Sequence, residues 1–420
     1  MTDLGRGLNY RKKGLQRAWR HARSLHVIFL GSNGETAGNQ FCLLLPAENG
    51  QRRMLGFECG PKARRIDQIA QLGTHGRVLA RTTSLPKKIG AMIGPISFLK
   101  GKKMKSVFEP NVDPEIIEMT RRYDDMLKMD GIDLHEFRAM CRAIVAEQGM
   151  PVPPVETRHI HVPTRHGPVL TRLYYPSPDR SRPLIVYMHG GGFMVGDLDC
   201  VDIALHRISR EADVAILSIE YGLAPERRYP VALEQCQDVL VWCTANRDAI
   251  SKANKIGIAG DSAGGNLAAL LAIWSRDVAK IDIAWQCMIN PVLNFPGIET
   301  ATTGSLVTYA NGPVLHTAIM KHFMNQYFSN QEERIEASPA LCTNLSSLPP
   351  AFIAVGEFDP LRDECIAYGD QLTSAGTTAV VKVYERMVHN FIGMVHLSKT
   401  ASRFVDELVE SAKLSLHSSQ

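Results

Sequence analysis

The sequence has no pair of cysteines separated by two residues, and its nine cysteines are an odd number. This pattern argues against a disulfide framework and against a zinc site, and it predicts a reducing compartment and therefore a cytoplasmic location. No apolar run approaches the roughly 20 residues that a membrane-spanning helix needs. Basic residues precede a short apolar run at 25–30, but a secretory signal would need a longer apolar core and a small-residue cleavage site.

Acidic residues are scarce in the first quarter of the chain. Residues 1–105 hold 20 Lys/Arg against 5 Asp/Glu, whereas the other 315 residues hold 27 against 38. A basic segment of this kind could bind nucleic acid, a membrane surface or the acidic body of its own chain. Because no basic helix motif is present, docking onto the acidic body is favoured, and nucleic-acid or membrane binding is the less favoured alternative. A further alternative is a start at Met104, in which case residues 1–103 are not native.

Three zones follow one another along the chain. Residues 1–105 form a basic N-terminal extension of unknown role, and their short apolar runs between turns favour a small β-rich module. Residues 106–155 contain two amphipathic stretches, which predict helices. Residues 156–420 alternate apolar strands with helices, which is typical of an α/β fold with a mostly parallel sheet, helices on both faces and an antiparallel edge. The eight predicted strands are 158–162, 169–175, 184–188, 214–219, 255–259, 283–289, 351–355 and 379–384, and the predicted helices include 202–211, 231–248, 263–277, 361–374 and 398–416.

A serine lies between two glycines in Gly260-Asp261-Ser262-Ala263-Gly264, which matches G-x-S-x-G. Alone, such a pentapeptide is common enough to be an ordinary glycine-rich turn. Here an apolar strand at 255–259 precedes it and a helix follows, which is the setting of a nucleophile elbow. The glycines permit a turn tight enough to lift the serine clear of the sheet, and the helix N-terminus favours negative charge. The pattern therefore predicts Ser262 as a nucleophile.

A second glycine-rich loop, His189-Gly190-Gly191-Gly192, follows the predicted strand 184–188. Consecutive glycines allow backbone N–H groups to approach a substrate without side chains in the way. An oxyanion hole needs two or three such donors, fixed where negative charge develops. We expect His189 to orient the loop through a hydrogen bond rather than to act as an acid or base. The alternative is a flexible loop without a role.

The order serine, acid, histidine along the chain is that of α/β-hydrolases. The acid should lie on a loop at the carboxyl end of a strand, and strand 351–355 leads directly to Asp359. Asp363 lies one helical turn further and would face away from an imidazole, so it and Glu364 are expected to be structural. His389 is one of 14 histidines. A lone histidine is more often a core or surface residue, but this one follows a strand by a few residues and precedes a helix.

Together these motifs resemble the bacterial hormone-sensitive-lipase family of esterases, in the branch that carries GDSAGG. The resemblance runs from about residue 114 to about residue 414 and is specific, since the motifs agree in order. The remaining matches are EYGLAPE at 220–226, which resembles the family's DYRLAPE, YPVALE at 229–234, GEFDPLRD at 356–363 and HNF at 389–391.

The resemblance implies an α/β-hydrolase fold and a triad of Ser262, Asp359 and His389. It also implies an oxyanion hole made by the N–H groups of Gly191, Gly192 and Ala263, with Gly190 shaping the turn. The implied activity is hydrolysis of short-chain carboxylic esters through an acyl-enzyme, without a cofactor or metal. An alternative is a small-molecule receptor on the same fold, which the presence of all three triad residues disfavours.

A helical cap over the pocket is also implied by the resemblance, with residues 106–155 and about 304–330 contributing to it. A homodimer through the last strand and helix is a further implication. Candidate cap or pocket residues, for which core packing is the alternative, are Met119, Met126, Phe323 and Tyr327.

Two positions depart from the family pattern. Gly222 stands where the family has arginine, so the ion pair of that arginine must be absent or replaced. Asn390 stands where the family has glycine after the catalytic histidine, and asparagine tolerates left-handed backbone angles better than most residues.

Overall fold

The computed structural model describes the strand segments 26–30, 39–46 and 52–59 and residues 111–127, 133–177, 181–252 and 255–418. The chain divides into two compact units, Met1–Gly94 and Pro95–Gln420. In the first unit, strands β1 (His26–Leu30), β2 (Asn39–Pro46) and β3 (Arg52–Cys59) form an antiparallel sheet in sequence order. These strands overlap the three short apolar runs of the N-terminal extension, at 25–30, 41–45 and 54–59. The rest of that extension lies outside the described residues.

The second unit is built on one eight-stranded sheet, in the order β11-β10-β9-β8-β6-β7-β5-β4. The six strands from β11 to β7 run parallel, whereas β5 is antiparallel to β7 and β4 is antiparallel to β5. The predicted α/β-hydrolase architecture, with its mostly parallel sheet and antiparallel edge, is confirmed. The strands are β4 (Glu156–Val162), β5 (Val169–Tyr175), β6 (Leu184–Met188), β7 (Ala215–Ile219), β8 (Ile256–Asp261), β9 (Trp285–Ile289), β10 (Ala351–Gly356) and β11 (Ala379–Tyr384).

Helices flank the sheet in the described part of the chain, and each of them is too short or too polar to cross a lipid bilayer. They are α1 (Ile117–Leu127), α2 (Leu134–Ala146), α3 (Asp202–Ala212), α4 (Val231–Ala245), α5 (Arg247–Ile250), α6 (Ala263–Trp274), α7 (Phe295–Thr300), α8 (Ser305–Thr308), α9 (Thr317–Tyr327), α10 (Gln331–Glu336), α11 (Arg362–Ser374) and α12 (Lys399–Leu416).

Two predicted helices are interrupted. The prediction of one helix over 231–248 is wrong at Asn246, whose backbone N–H and side-chain Nδ2 both donate to the Trp242 carbonyl at 2.9 Å. This side chain competes with the helical ladder and separates α4 from α5. The helix predicted over 263–277 is α-helical only to Trp274 and continues as a π-helical turn, Ser275–Ala279.

The central strands are buried on both faces, which explains why they are readable as continuous apolar runs. Every residue of β6, β7, β8, β9 and β10 is buried. By contrast, the edge strands β4 and β11 are largely exposed, and only their last residues are buried. The central strands therefore form a layer that excludes solvent. The predicted site residues lie at the carboxyl ends of the parallel strands.

One arginine ties helix α2 to the loops at the carboxyl ends of two central strands. Arg138 donates from Nε to the Met194 carbonyl at 2.7 Å and from Nη2 to the Ala224 carbonyl at 2.8 Å. Its Nη1 also lies 2.8 Å from Glu226 Oε1. Because its side chain is only 18% exposed, these contacts are screened less than a surface ion pair. Helix α2 is thus held against the loops that follow β6 and β7.

Candidate active site

Ser262 lies at the junction between β8 and α6. Its backbone angles, φ 52° and ψ −115°, are unusual for a residue other than glycine. The turn is held by the Ser262 N–H, which donates to the Ile289 carbonyl at 2.7 Å, and it is close-packed: a Cβ on Gly260 would lie 2.3 Å from the Gly264 carbonyl oxygen. These contacts place the serine side chain at the tip of the strand–helix turn.

A hydrogen-bonded chain joins the three residues predicted to form the triad. Ser262 Oγ lies 2.9 Å from His389 Nε2, and His389 Nδ1 lies 2.8 Å from Asp359 Oδ2. The Asp359 side chain is fully buried, and its Oδ1 accepts from the Leu361 N–H at 2.8 Å. The three residues come from the loops after β8, β10 and β11, and β9 lies between β8 and β10 in the sheet. The arrangement can take a proton from the serine hydroxyl and stabilise the resulting imidazolium.

A fourth residue, Asn290, contacts the triad and was not predicted from the sequence. It follows β9 directly, and its Nδ2 donates to Asp359 Oδ2. Its backbone has φ 47°, and its N–H donates to the Ala354 carbonyl at 2.7 Å. Its position in the sequence could have revealed it. Asn290 is a polar residue directly after a buried strand, and that strand neighbours the one that leads to Ser262, so its side chain is expected at the same edge of the sheet.

The backbone of the glycine loop takes conformations that other residues rarely adopt. Gly191 has φ 117° and Gly192 has φ 59°. A Cβ on Gly191 would lie 2.0 Å from the Val195 carbonyl oxygen, and one on Gly192 would lie 2.2 Å from the Phe323 ring. Gly191, Gly192 and Ala263 all line the same cavity as Ser262, where their N–H groups can serve an oxyanion.

The glycine loop is anchored from beneath by buried polar groups. His189 Nδ1 lies 2.7 Å from the Gly190 carbonyl oxygen, and the imidazole stacks on Tyr221 at a centroid distance of 4.4 Å. Burial lowers the pKa of His189, so the ring is neutral and suited to orienting the loop. Asp261 accepts from the Tyr187 hydroxyl at 2.8 Å and packs against Gly190, where a Cβ would lie 2.2 Å from its Oδ2. Burial raises the pKa of the Asp261 carboxyl to about 6.

A cavity of about 170 Å³ opens at Ser262. It is lined mainly by apolar side chains from helices α1, α2 and α9 and from the loops beneath them. Of the four candidate pocket residues, Met126 and Phe323 line the cavity. Met119 and Tyr327 are buried outside the lining, and the Tyr327 ring stacks on the ring of Phe193 with centroids 4.0 Å apart. The lining residues from these helices are Tyr123, Met126, Leu127, Phe137, Cys141, Val145, Ile319, Met320, Phe323 and Met324.

The two acids after the triad aspartate have other partners. Asp363 Oδ2 accepts from the Ser305 N–H at 2.8 Å. Glu364 Oε1 accepts from the Leu293 N–H at 2.6 Å, and its buried Oε2 has no hydrogen-bond partner. Burial raises the pKa of the Glu364 carboxyl to about 8. Both acids therefore support loops and neither contacts the imidazole.

Replacing Glu364 by glutamine is expected to stabilise the protein more as the pH rises. Between about pH 4.5 and about pH 8, the Glu364 carboxyl stays protonated in the folded chain but is ionised in the unfolded chain. Stability from this group is therefore lost as the pH rises through that window. The melting temperature of Glu364→Gln minus that of the wild type should increase by a few degrees between about pH 5 and about pH 8.5. The same substitution at exposed Glu332 is the control, and a pH-independent difference for both variants would contradict the assignment.

Both departures from the family pattern have a structural account. At Gly222, the N–H donates to Gln235 Oε1 at 2.7 Å, and the Arg227 side chain fills the space, since a Cβ would lie 2.7 Å from its Cγ. Asn390 adopts the left-handed conformation expected for it, with φ 60°. Left-handed non-glycine residues are concentrated around this site, where Phe193 has φ 61° and Ser262 and Asn290 also have positive φ.

Comparison with known proteins identifies a family and several relatives. A family model described as an α/β-hydrolase fold matches residues 185–393. The carboxylic ester hydrolase LipN of Mycobacterium tuberculosis is 33% identical over 293 residues, which are 68% of this chain and 77% of LipN. An acetyl esterase of Salmonella schwarzengrund is 33% identical over 267 residues, 62% of this chain and 80% of that protein.

A solved structure supports the same assignment. The hyperthermophilic esterase of the archaeon Pyrobaculum calidifontis superposes with a TM-score of 0.68 at 31% identity and covers 72% of this chain and 98% of the esterase. The sequence similarity, the shared sheet and the ordered motifs lead to one conclusion. The chain belongs to the hormone-sensitive-lipase family of α/β-hydrolases and is a carboxylic ester hydrolase.

Proposed function

We propose that this protein hydrolyses short-chain carboxylic esters through an acyl-enzyme formed on Ser262. The single observation that carries the proposal is the chain of hydrogen bonds from Ser262 Oγ through His389 to buried Asp359, at the wall of a cavity. A serine hydroxyl is a weak nucleophile unless a neighbouring base removes its proton, and this geometry supplies that base.

In the proposed reaction, Ser262 Oγ attacks the ester carbonyl carbon as His389 Nε2 takes the hydroxyl proton. The carbonyl oxygen becomes an oxyanion, which accepts hydrogen bonds from the N–H groups of Gly191, Gly192 and Ala263. Collapse breaks the bond to the alcohol oxygen, which receives the proton from His389 and leaves. Water then attacks the acyl-enzyme by the same route, and the acid is released with Ser262 restored.

The preference for short chains is supported by the size of the cavity. Its volume of about 170 Å³ is close to that of cavities that hold a benzene-sized ligand. An acyl group of two to four carbons fits such a volume, whereas a long fatty chain would extend beyond it. The similarity to an acetyl esterase supports the same preference.

We also propose a domain organisation for the chain. Residues 156–420 would supply the catalytic domain, and residues 106–155 with about 304–330 would form the cap. The support for the cap is the lining of the cavity by helices α1, α2 and α9. The role of residues 1–105 lies outside this proposal.

A homodimer through β11 and α12 and a reducing compartment complete the proposal. The support for the dimer is an edge strand, β11, whose Val380 and Val383 are 44% and 42% exposed, beside α12 with Leu414 at 71%. Exposed apolar edge strands are templates for pairing with another chain.

The support for the reducing compartment is that the described cysteines carry free thiols. These are Cys141, Cys200, Cys236, Cys243, Cys287, Cys342 and Cys365.

The proposal is tested by active-site labelling together with an acyl-chain series. A fluorophosphonate should modify Ser262 alone, and prior labelling should abolish hydrolysis. Across p-nitrophenyl acetate, butyrate, octanoate and palmitate, kcat/KM should fall by at least about 10-fold from butyrate to octanoate, because the longer chain cannot be buried in the cavity. Binding of esters without turnover would instead indicate a receptor and would overturn the proposal.

A further inference from the structure

The carboxyl end of β9 contacts both the serine turn and the acid of the triad. In the sheet, β9 lies between β8, which leads to Ser262, and β10, which leads to Asp359. The carbonyl of its last residue, Ile289, accepts a hydrogen bond from the Ser262 N–H at 2.7 Å. The side chain of the next residue, Asn290, donates from Nδ2 to Asp359 Oδ2. Two consecutive residues therefore hold the nucleophile turn and the acid.

The backbone of Asn290 is fixed without the help of its side chain. Its N–H donates to the Ala354 carbonyl of β10 at 2.7 Å, and only 1% of the residue is exposed. Its φ of 47° lies in the left-handed region, which costs free energy for residues other than glycine. A glycine could make the same backbone hydrogen bond without this cost. The backbone therefore gives no reason for an asparagine at this position, and the carboxamide itself must supply one.

The orientation of the Asn290 carboxamide is set by the acid. Its Oδ1 is buried and has no hydrogen-bond partner among the described residues. An unpaired buried acceptor costs free energy. The reverse orientation would nevertheless be worse, because it would place Oδ1 against the carboxylate of Asp359, and neither group could then donate. The Nδ2 donor is thus directed at Asp359 Oδ2.

The carboxylate of Asp359 depends on such donors, because its side chain is fully buried. A buried charge is costly unless hydrogen bonds replace its lost hydration. The Leu361 N–H donates to Oδ1, whereas His389 Nδ1 and Asn290 Nδ2 both contact Oδ2. The imidazole of His389 gains and loses charge in each catalytic cycle. Of the two partners on Oδ2, only Asn290 stays the same throughout, so it can keep this oxygen in place.

We propose that Asn290 is a positioning residue that holds the Asp359 carboxylate in the orientation in which Oδ2 faces His389 Nδ1. Asn290 is not among the described residues that line the cavity, so it acts on the reaction through Asp359 and does not touch the substrate. The inference rests on the proposed function and deepens it, because it adds a fourth residue on which the triad depends. This residue ties the acid to the strand that also holds the serine turn.

The test removes the carboxamide in two ways. Asn290→Gly keeps the backbone N–H and suits a φ of 47°, and Asn290→Ala checks that the effect does not come from the flexibility of glycine. For p-nitrophenyl butyrate, both variants should lower kcat by about 10- to 100-fold, which corresponds to one hydrogen bond to a charged group. KM should stay within about twofold. The rate at which a fluorophosphonate labels Ser262 should fall in parallel with kcat, because both reactions need the serine proton to be removed.

Gln286→Met is the matched control, since Gln286 is a second buried carboxamide of β9. Its Nε2 donates to the Pro349 carbonyl at 2.9 Å, and its Oε1 has no partner in the described part of the chain. Pro349 precedes β10 and therefore lies at the end of the sheet opposite the triad. The control should lose stability but keep kcat within about twofold of the wild type. An equal fall in kcat for Gln286→Met would contradict a specific role for Asn290.

A double-mutant cycle tests whether Asn290 acts through Asp359. Asn290→Gly is combined with Asp359→Ala, which removes the carboxylate that the carboxamide contacts. In this background Asn290→Gly should change kcat by less than about threefold, because its partner is already absent. Thermal unfolding of each variant shows whether it is folded, and the single variants remain decisive if the double variant is not.

Three results would overturn the proposal. They are a fall in kcat of less than about threefold in both single variants, a full loss that persists in the Asp359→Ala background, and a rise in KM with kcat unchanged. Failure of the proposed function gives a different pattern. Asp359→Ala alone would then retain its kcat, or the fluorophosphonate would not label Ser262 in the wild type. The two failures are therefore distinguishable.

Discussion

Replacing Ser262 by alanine is expected to lower kcat for a short-chain ester by about 10⁵-fold or more while leaving the chain folded. The Ser262 hydroxyl is the group that His389 Nε2 contacts, so its removal leaves the base without a nucleophile. Alanine has the same Cβ, and the hydrogen bond from the backbone N–H of this residue to the Ile289 carbonyl is retained. The measurement is hydrolysis of p-nitrophenyl butyrate, with thermal unfolding in parallel.

Ser209→Ala is the matched control for Ser262→Ala. Ser209 is buried on α3, and its hydroxyl donates to the Val214 carbonyl at 2.8 Å, away from the cavity. Its loss should lower stability by about 1 kcal/mol without changing kcat. If Ser262→Ala retained a tenth of the wild-type activity in protein free of contaminating esterase, the nucleophile would have to be another residue.

Replacing Asp359 by asparagine is expected to lower kcat by about 10⁴-fold and also to destabilise the fold. Asp359 Oδ2 accepts from His389 and Asn290, and its Oδ1 accepts from the Leu361 N–H. An amide has only one oxygen, so either orientation places its NH₂ group against another donor. If the NH₂ group faces His389, the imidazole is held in the wrong tautomer. If it faces Leu361, a buried donor loses its acceptor, at a cost of about 1–3 kcal/mol.

Asp363→Asn controls for the loss of a carboxylate in the same segment. Asp363 contacts Ser305 and Arg362, and its side chain is 45% exposed. This variant should keep kcat within about threefold of the wild type, because the contacts it weakens do not reach the imidazole. The kinetics of both variants and their melting temperatures give the comparison. A larger fall in kcat for Asp363→Asn than for Asp359→Asn would reverse the assignment of the acid.

The parts of the fold that the sequence predicted well are those in which one physical effect dominates. The predicted strands 169–175, 184–188 and 379–384 coincide with β5, β6 and β11, and the others differ by one to three residues. Buried parallel strands must be apolar on both faces, so their limits are marked in composition. The break at Asn246 was missed because a side chain that bonds to its own helix leaves the apolar periodicity intact.

The site was predictable where local motifs define it and not where distant segments meet. Ser262 and the glycine loop are readable because the turns themselves require glycines. Arg138 acts through contacts with residues far away in sequence, and nothing in its immediate neighbours marks it. Asn290 was marked only by its position at the end of a buried strand.

The left-handed residues around the site have a consequence for engineering this enzyme. Phe193, Ser262, Asn290 and Asn390 occupy conformations that cost free energy, and Asp261 and Glu364 bury carboxyl groups at the same end of the sheet. This end is therefore where substitutions could gain stability most readily and where the gain would trade against turnover. Thermostabilising changes that spare turnover should instead be sought at the amino ends of the strands and on the outer helices.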